Sequence, residues 1–348
     1  MIGVDKSTGG GMWTVARNYL ENAEFCRKTQ LKYIPASITG SIPARLFFTL
    51  KAFLHILFAL ISRNYDIAHI HMAEKGSVFR KGIAIALARL FRCRILLHMH
   101  GATFEEWYTS CPHFVKIMIR RIINRADRVV ILGEYWRTFV SSLLDEPGKL
   151  RVIYNAVKVP DVNPYNPNAR NLLFLGVAGK RKGIFDLLDA VSSIGKDLDK
   201  DIRLWIYGPD DCEIEEEIRK RDLRHRVEYR GWLAPEQMPE TFKNIAVNIL
   251  PSYNEGLPMT ILETMSCGIP NISTSIAAIP EAVDNENGCL IAPGDVSGLS
   301  SALLTLLSDQ KLRLKKSALA YKTIEDRFAL NVHFTRILQL YTEMESLK

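Results

Sequence analysis

Two glutamates, Glu255 and Glu263, bracket a turn within the segment VNILPSYNEGLPMTILETMSCGIP at residues 247–270. If both glutamates were helical, their eight-residue separation would place them about 12 Å apart along the helix axis. The carboxyl groups of glycosidases stand about 5 Å apart in retaining enzymes and roughly 6.5–9.5 Å apart in inverting ones. The spacing therefore disfavours a hydrolytic pair. It favours two carboxylates that hold opposite ends of an extended ligand.

The turn itself has the features of a phosphate site. A polar loop leads from a buried strand into a helix that we expect to open near Pro258, where the missing N–H of proline is tolerated, and to stop at Gly268. Gly256, Leu257 and Pro258 would then lie at the amino end of that helix, where free N–H groups and the helix dipole favour a phosphate. Glu263 follows in an apolar stretch, where an unpaired carboxylate is costly and ribose hydroxyls would satisfy it.

A glycine-rich basic loop, GVAGKRKG at residues 176–183, lies between a predicted strand and a predicted helix. Its cations are Lys180, Arg181 and Lys182. Cations at such a loop can neutralise a diphosphate leaving group. The alternative interpretation is a solvated basic loop.

Glycines and histidines in the first half suggest a second ligand-binding edge. Residues 9–11 are three glycines between a short first strand and a helix, so the backbone at Gly10 and Gly11 can approach a ligand closely. A tight turn explains these glycines equally well, and they do not form the GxGxxG fingerprint of dinucleotide oxidoreductases. His98 and His100 alternate at the end of a predicted strand and so share one face at its carboxyl edge. We interpret His98 as structural.

The composition is that of a globular protein: 47% of the residues are hydrophobic and 24% are charged. The six cysteines form no CxxC pair and no cluster with histidine, and no DxD pair ends a strand. We therefore expect reduced cysteines, no metal and no cofactor. The start of the chain shows no basic segment followed by an apolar stretch, so no signal peptide is visible and we expect a cytoplasmic protein.

Strand-like and helix-like segments alternate in two series, which predicts an α/β protein with doubly wound parallel sheets. At 348 residues the chain suggests two domains. We predict an N-terminal domain at 1–157, a linker rich in proline and asparagine at 158–169, a C-terminal domain at 170–327 and a last helix at 328–348. Residues 1–157 hold 22 Lys and Arg against 11 Asp and Glu, a charge of +11, and the remainder holds 23 against 27, a charge of −4. Only the first domain is therefore expected to meet an anionic partner.

Several segments in order resemble the large family of retaining, GT-B-fold glycosyltransferases called glycosyl transferases group 1. They are PSYNEGLPMTILETMSCGIP with its two glutamates, GGGMWTV, LLHMHGATF, FLGVAGKRKGIFDLLDA and NGCLIAPGD. The resemblance implies two Rossmann-like domains that face a central cleft, with the donor bound by the C-terminal domain and the acceptor mainly by the N-terminal one. It also implies catalysis without a metal. The last helical pattern has no strand after it, and we expect that helix to pack back across both domains.

The same resemblance assigns roles to individual residues. It implies that Glu255 contacts the donor sugar, that Glu263 contacts the ribose and that His100 lies near the transferred sugar. Lys182 matches the family's lysine in the basic loop. Val177 stands where the family has an arginine, and our hypothesis is that Lys180 or Arg181 substitutes for it. The resemblance also implies three donor-site residues at the ends of two strands: Gly208, Gly231 and Trp232. It places the base of the donor nucleotide near Gly231 and Trp232. Trp232 could equally be a packing residue.

Two helical segments in the first domain bear on membrane contact. Residues 46–61 are nearly all apolar but fall short of the ~20 needed to span a bilayer. We favour a helix buried in the domain, and a monotopic lipid contact is the alternative. A second segment has an apolar stripe opposite a basic face, which is either solvated or rests on anionic lipid at about 1 kcal/mol per cation. The basic residues are Lys116, Arg120, Arg121, Arg125 and Arg128.

The resemblance implies a retaining, metal-independent hexosyltransferase that uses a UDP- or GDP-sugar. We expect the acceptor to be a saccharide or a polyprenyl-diphosphate-linked oligosaccharide in the assembly of a bacterial surface polysaccharide, such as O-antigen, capsule or exopolysaccharide. The enzyme would then be cytoplasmic or peripheral on the inner face of the plasma membrane. A nucleotide-sugar epimerase on the same fold and a catalytically silent scaffold are the alternatives. No nucleic-acid recognition motif is present, so we expect no nucleic-acid partner.

Overall fold

The computed structural model describes residues 1–63 and 65–346. The chain forms two compact units. The first comprises Met1–Asn155 together with the chain from Leu330 onward, and the second comprises Ala156–Ala329. Each unit has its own parallel β-sheet flanked by helices, so the predicted pair of doubly wound α/β sheets is confirmed.

The sheet of the first unit has the strand order β2-β1-β3-β4-β5-β6, and all of its pairings are parallel. Its middle strands are buried on both faces, as expected for nearly continuous apolar runs. The strands are β1 (Ile2–Gly3), β2 (Ile34–Pro35), β3 (Ile67–Met72), β4 (Arg94–Met99), β5 (Arg128–Ile131) and β6 (Leu150–Val152). The helices within Met1–Asn155 are α1 (Gly10–Glu21), α2 (Ala23–Thr29), α3 (Ile42–Ser62), α4 (Gly76–Leu90), α5 (Phe104–Ser110), α6 (His113–Asn124) and α7 (Arg137–Leu143).

The sheet of the second unit has the strand order β12-β11-β10-β7-β8-β9, again parallel throughout. The strands are β7 (Asn171–Leu175), β8 (Leu204–Tyr207), β9 (Val227–Tyr229), β10 (Ile245–Leu250), β11 (Asn271–Thr274) and β12 (Cys289–Ile291). The helices are α8 (Ile184–Ser193), α9 (Ile214–Lys220), α10 (Met238–Phe242), α11 (Met259–Ser266), α12 (Val296–Ser308) and α13 (Gln310–Arg327).

The last helix, α14 (Leu330–Glu345), belongs to the first unit, which confirms that the chain returns to the N-terminal domain. Nδ1 of His333 lies 2.8 Å from the carbonyl oxygen of Tyr154, and its Nε2 lies 2.7 Å from the hydroxyl of Tyr19. Arg128 donates to Glu343 at 2.6 Å. Arg128 is therefore occupied by α14 and does not belong to the basic face that we predicted. Residues 347 and 348, the end of the predicted last helix, lie outside the described residues.

The segment 158–169, which we expected to be a linker, packs on the second unit. The hydroxyl of Tyr165 donates to the carbonyl of Ala246 at 3.0 Å, and the side chain of Asn163 donates to Ser317 at 3.1 Å. These contacts make the segment part of the second unit's surface.

Helix α3 differs from the expectation. It is longer than the apolar segment 46–61 suggested, because Pro43 is tolerated in its first turn. Only Ala52, Ile56 and Leu60 are buried. By length and composition alone α3 could cross a membrane. The favoured interpretation of a helix buried in the domain was wrong, because the exposed side chains along α3 are large and apolar: Ile42, Leu46, Phe47, Leu50, Leu54, Phe58 and Ile61.

Candidate functional site

The strand order of the second sheet reverses between β7 and β10, which are neighbours although β8 and β9 lie between them in sequence. Open doubly wound sheets bind ligands outside the carboxyl ends of their strands at such a point. The loop after β7 is the basic loop 176–183, and the loop after β10 is the turn at 251–258. The topology thus brings together the two segments that the sequence singled out.

The loops at this edge lie so close together that two positions require glycine. Gly183 has φ +71°, and a Cβ there would lie 2.0 Å from the carbonyl oxygen of Pro251. Gly208 has φ +132°, and a Cβ there would lie 1.9 Å from the carbonyl oxygen of Gly176. Side chains larger than hydrogen would push the loops apart, so these glycines set the shape of the edge.

Lys182 and Glu255 form an ion pair at the centre of this edge. Glu255 is buried, with 7% of its surface exposed, and it also accepts a hydrogen bond from Ser252 at 2.9 Å. The guanidinium of Arg181 lies 3.9 Å from the same carboxylate and donates to the carbonyl of Asn254 at 2.8 Å. Two cations thus surround one carboxylate, which leaves an excess of positive charge for an anionic ligand.

The two candidate substitutes for the family's arginine lie in different environments. Arg181 is held between the two loops, because its carbonyl accepts a hydrogen bond from the backbone N–H of Tyr253 at 2.9 Å. Lys180 is exposed. Of the two, Arg181 is the one that the structure places beside Glu255.

The helix after the turn starts one residue later than we expected. Helix α11 begins at Met259 and Pro258 is its N-cap residue, so Gly256 and Leu257 precede the helix. Glu255 therefore lies in the loop, and our 12 Å estimate, which assumed that both glutamates are helical, does not apply. Glu263 lies within α11 and is half-buried.

Gly208 and Gly231 follow β8 and β9 at the same edge of the sheet, and the N–H of Gly208 donates to the carbonyl of Gly231 at 2.7 Å. Trp232 is 61% exposed. The alternative of Trp232 as a packing residue therefore does not hold. Its indole is available to a flat aromatic ligand.

The predicted residues of the first unit lie at the carboxyl edge of its own sheet. Gly10 and Gly11 form the first turn of α1, and a Cβ at Gly10 would meet open space. His100 follows β4, and its backbone N–H donates to the carbonyl of Met72 at 2.8 Å. The carboxylate of Glu74 packs against Gly101, where a Cβ would lie 2.3 Å from Glu74 Oε2.

The structure also reveals an array of histidines that sequence reasoning missed. His69, His71 and His98 are buried, and one ring nitrogen of each lies within 4.8 Å of the others. Three imidazoles are a ligand set for zinc. However, the rings are stacked, with interplanar angles of 15–26°. The nitrogen lone pairs of stacked rings lie in parallel planes and do not converge on one ion, so the arrangement favours hydrogen bonding.

Comparison with known proteins agrees with this geometry. Residues 15–159 match the family model of Glycosyltransferase Family 4, and residues 169–309 match that of Glycosyl transferases group 1. The two matches together cover most of the chain. The chain is a glycosyltransferase with a Family 4 domain followed by a group 1 domain.

This glycosyltransferase has relatives of similar length. It is 26% identical to an uncharacterized 41.2 kDa protein in the cps region of Klebsiella pneumoniae. The alignment of 313 residues covers 84% of this chain and 85% of that protein. It is 25% identical to the UDP-Gal:alpha-D-GlcNAc-diphosphoundecaprenol alpha-1,3-galactosyltransferase of Escherichia coli. That alignment of 318 residues covers 85% of this chain and 80% of the galactosyltransferase. The structure of Anabaena HepE in complex with UDP aligns with a TM-score of 0.76 at 15% identity, over 98% of this chain and 99% of that one.

The sequence analysis missed two features of the two units. The hydrogen bond from Ser252 to Glu255 has no sequence signal beyond the three-residue spacing of these residues. The histidine array has a partial signal, because His69 and His71 alternate on β3 as His98 and His100 do on the next strand. Only the pairing of the two strands shows that these four side chains meet.

Proposed function

We propose that this glycosyltransferase transfers a hexose-type sugar from a UDP- or GDP-sugar, with retention at the anomeric carbon, to a lipid-linked oligosaccharide of a bacterial surface polysaccharide. The observation that carries the proposal is the ion pair of Lys182 and Glu255, with Arg181 beside it, at the switch point of the second sheet. A diphosphate that enters there meets two cations, and the sugar attached to it meets the carboxylate.

The proposed roles follow from the geometry. Lys182 and Arg181 neutralise the charge that develops on the leaving diphosphate, and because they supply positive charge we propose that no metal is needed. Glu255 binds the donor sugar and Glu263 binds the ribose. The exposed indole of Trp232 stacks on the base, to which Gly231 offers backbone contacts.

The reaction needs no strong side-chain base. The bond between the anomeric carbon and the diphosphate oxygen breaks, and a bond from the acceptor hydroxyl to the same face of that carbon forms. The acceptor's proton passes to the departing diphosphate oxygen. The nucleoside diphosphate thus leaves as the product and acts as the base.

Two observations support a lipid-linked acceptor: the name of a relative and the positive charge of the first domain. The Escherichia coli galactosyltransferase acts, by its name, on a sugar linked to diphosphoundecaprenol. Residues 1–157 of this chain carry a charge of +11, from 22 cationic and 11 anionic residues. A basic domain suits a diphosphate-linked acceptor that lies in a membrane of anionic lipids.

We further propose that the first unit rests on the inner face of the plasma membrane through α3. Phe47 and Phe58, eleven residues apart, share one side of the helix and are each 72% exposed. Helix α6 packs, like α3, against α4. It adds Phe114, 66% exposed, and the exposed cations Arg121 and Arg125. Exposed apolar side chains and exposed cations on the same unit are complementary to an anionic bilayer, which offers both acyl chains and negative headgroups.

Thermal-shift titration against a panel of UDP- and GDP-sugars tests the donor proposal. Saturation at about 100 times the dissociation constant adds about 2.7 kcal/mol to the free energy of unfolding. In a unit of this size that raises Tm by roughly 5–10 °C. Lys182→Ala should abolish the shift, while Lys180→Ala, its exposed neighbour, should retain it. A panel in which no nucleotide sugar raises Tm would contradict the proposal.

An assay of the best donor with and without a diphosphoundecaprenol-linked GlcNAc acceptor tests the reaction. Transfer should require the acceptor, and NMR of the product should show the donor's anomeric configuration. Formation of an altered sugar from the donor alone would show an epimerase instead. Donor binding with neither product would favour a silent scaffold.

A further inference from the structure

Four histidines form a two-by-two array on one face of the first sheet. Strands β3 and β4 pair in parallel with His71 directly opposite His98. His69 precedes His71 by two residues and His100 follows His98 by two, so all four side chains share a face. The ring centroids of His69 and His71 are 4.6 Å apart, and those of His98 and His100 are 4.4 Å apart.

Two diagonal hydrogen bonds join the strands. Nδ1 of His71 lies 2.8 Å from Nε2 of His100, and Nδ1 of His98 lies 3.2 Å from Nε2 of His69. Nδ1 of His69 then lies 2.7 Å from the hydroxyl of Tyr341 in α14. Nε2 of His71 and Nε2 of His98 are buried and have no hydrogen-bond partner within residues 1–63 and 65–346.

All four rings are neutral at physiological pH. Burial lowers the pKa of His69, His71 and His98 well below their usual range, and the neighbouring histidines lower these pKa values further. Burial also lowers the pKa of His100, to about 3. A neutral imidazole has one N–H donor and one bare acceptor, so a hydrogen bond at one nitrogen decides the state of the other.

The unpartnered nitrogens decide the direction of the hydrogen bonds. If His100 donated to His71, the proton of His71 would lie on Nε2 and form a buried N–H without an acceptor. Orphaned buried N–H groups are rarer in proteins than acceptors that lack a donor. The proton of His71 therefore lies on Nδ1. By the same reasoning, Nδ1 of His98 donates to Nε2 of His69, and Nδ1 of His69 then donates to the hydroxyl of Tyr341. In both diagonal hydrogen bonds the donor is therefore the Nδ1–H of the histidine whose Nε2 has no partner.

We propose that His71 is a positioning residue that donates from Nδ1 to Nε2 of His100 and so keeps the proton of His100 on Nδ1. His100 is only half-buried at the carboxyl edge of the sheet. Its Nδ1–H is then the group that donates to an oxygen of the bound sugar. This role rests on the proposed function, whereas the tautomer itself does not.

Long-range ¹H–¹⁵N spectra of the whole protein without substrate test the tautomer directly. His100 should show a protonated Nδ1 and a bare Nε2. In His71→Phe, which keeps a ring of similar size but no donor, His100 should become a mixture of tautomers. A wild-type protein whose His100 carries its proton on Nε2 would overturn the proposal, whether or not the enzyme is active.

Kinetics test the consequence for catalysis. His71→Phe should lower kcat/KM about tenfold, the effect of one misdirected hydrogen bond. His71→Asn should recover most of this loss, since the asparagine amide can donate from the position of Nδ1. His69→Phe is the matched control because His69 has no hydrogen bond to His100.

Affinity for UDP distinguishes a failure of the histidine proposal from a failure of the proposed function. It should be the same in all of these variants, because the proposed donor residues belong to the second unit. Equal losses in His71→Phe and His69→Phe would refute positioning and indicate a general packing effect. A wild-type protein with the expected tautomer but no transferase activity would instead contradict the proposed function.

Discussion

The exposed face of α3 allows a quantitative test of membrane binding. Phe47 and Phe58 are each 72% exposed. Burial of a whole phenylalanine side chain contributes about 1.5–3 kcal/mol, so transfer of these exposed fractions into a bilayer contributes about 1–2 kcal/mol each. The double variant Phe47→Ser/Phe58→Ser should therefore bind vesicles roughly 30- to 700-fold more weakly than the wild type. Its Tm should change little, because these side chains bury little surface in the folded protein.

Sedimentation with vesicles of phosphatidylglycerol and phosphatidylcholine measures this difference. Val162→Ser is a matched control, because Val162 is 77% exposed but lies in the second unit. The triple variant Arg120/Arg121/Arg125→Glu should lose the salt-sensitive part of the binding, while the serine variant should lose the salt-insensitive part. Wild-type protein that stays in the supernatant at low salt would refute the reasoning. So would a concentration-dependent dimer that the serine variant breaks, because α3 would then cover a second copy of the chain.

Three further predictions concern the loops and the buried histidines. Arg181→Ala should weaken UDP binding about tenfold by calorimetry, because it removes a cation beside the site, whereas Lys180→Ala should have little effect. Acid should destabilise the first unit: the unfolded chain binds protons below about pH 6.5, while the buried His71 and His98, whose pKa values burial lowers well below the usual range, do not. Urea unfolding between pH 6.5 and pH 4 should show a loss of up to about 1.4 kcal/mol per pH unit for each such histidine. Gly183→Ala should lower the free energy of unfolding by about 1–3 kcal/mol through strain, seen in calorimetry as a lower Tm. Gly148→Ala, where a Cβ meets open space, should leave Tm unchanged.

Long buried parallel strands can be predicted from sequence because they are continuous apolar runs. The strands β2, β6 and β12 give no such signal, since they have two or three residues each. Segments so short carry no periodicity, and their membership of a sheet depends on the neighbour with which they pair. The exposure of α3 was missed for a related reason. A helix that is apolar on nearly all sides does not reveal which side is covered.

The candidate site was predictable where chain topology alone brings segments together. Glu255 and Lys182 meet because β7 and β10 are neighbours, which follows from the doubly wound pattern. Details that depend on register were beyond the sequence. The opposition of His71 and His98, and thus the whole histidine array, rests on the pairing of β3 with β4. A shift of one residue would have turned one of the pairs to the other face.

The return of α14 makes the half of the protein that carries the proposed donor site an insertion in the middle of the other half. The ends of this insertion meet, since the N–H of Val157 donates to the carbonyl of Phe328 at 2.9 Å and Val157 pairs with Ala329. Residues 156–329 can therefore be exchanged as a cassette through two adjacent junctions, and grafting the cassette of a relative should change which donor is used. Deletions from the carboxyl terminus will instead damage the amino-terminal half, because they remove partners of Tyr19 and Arg128.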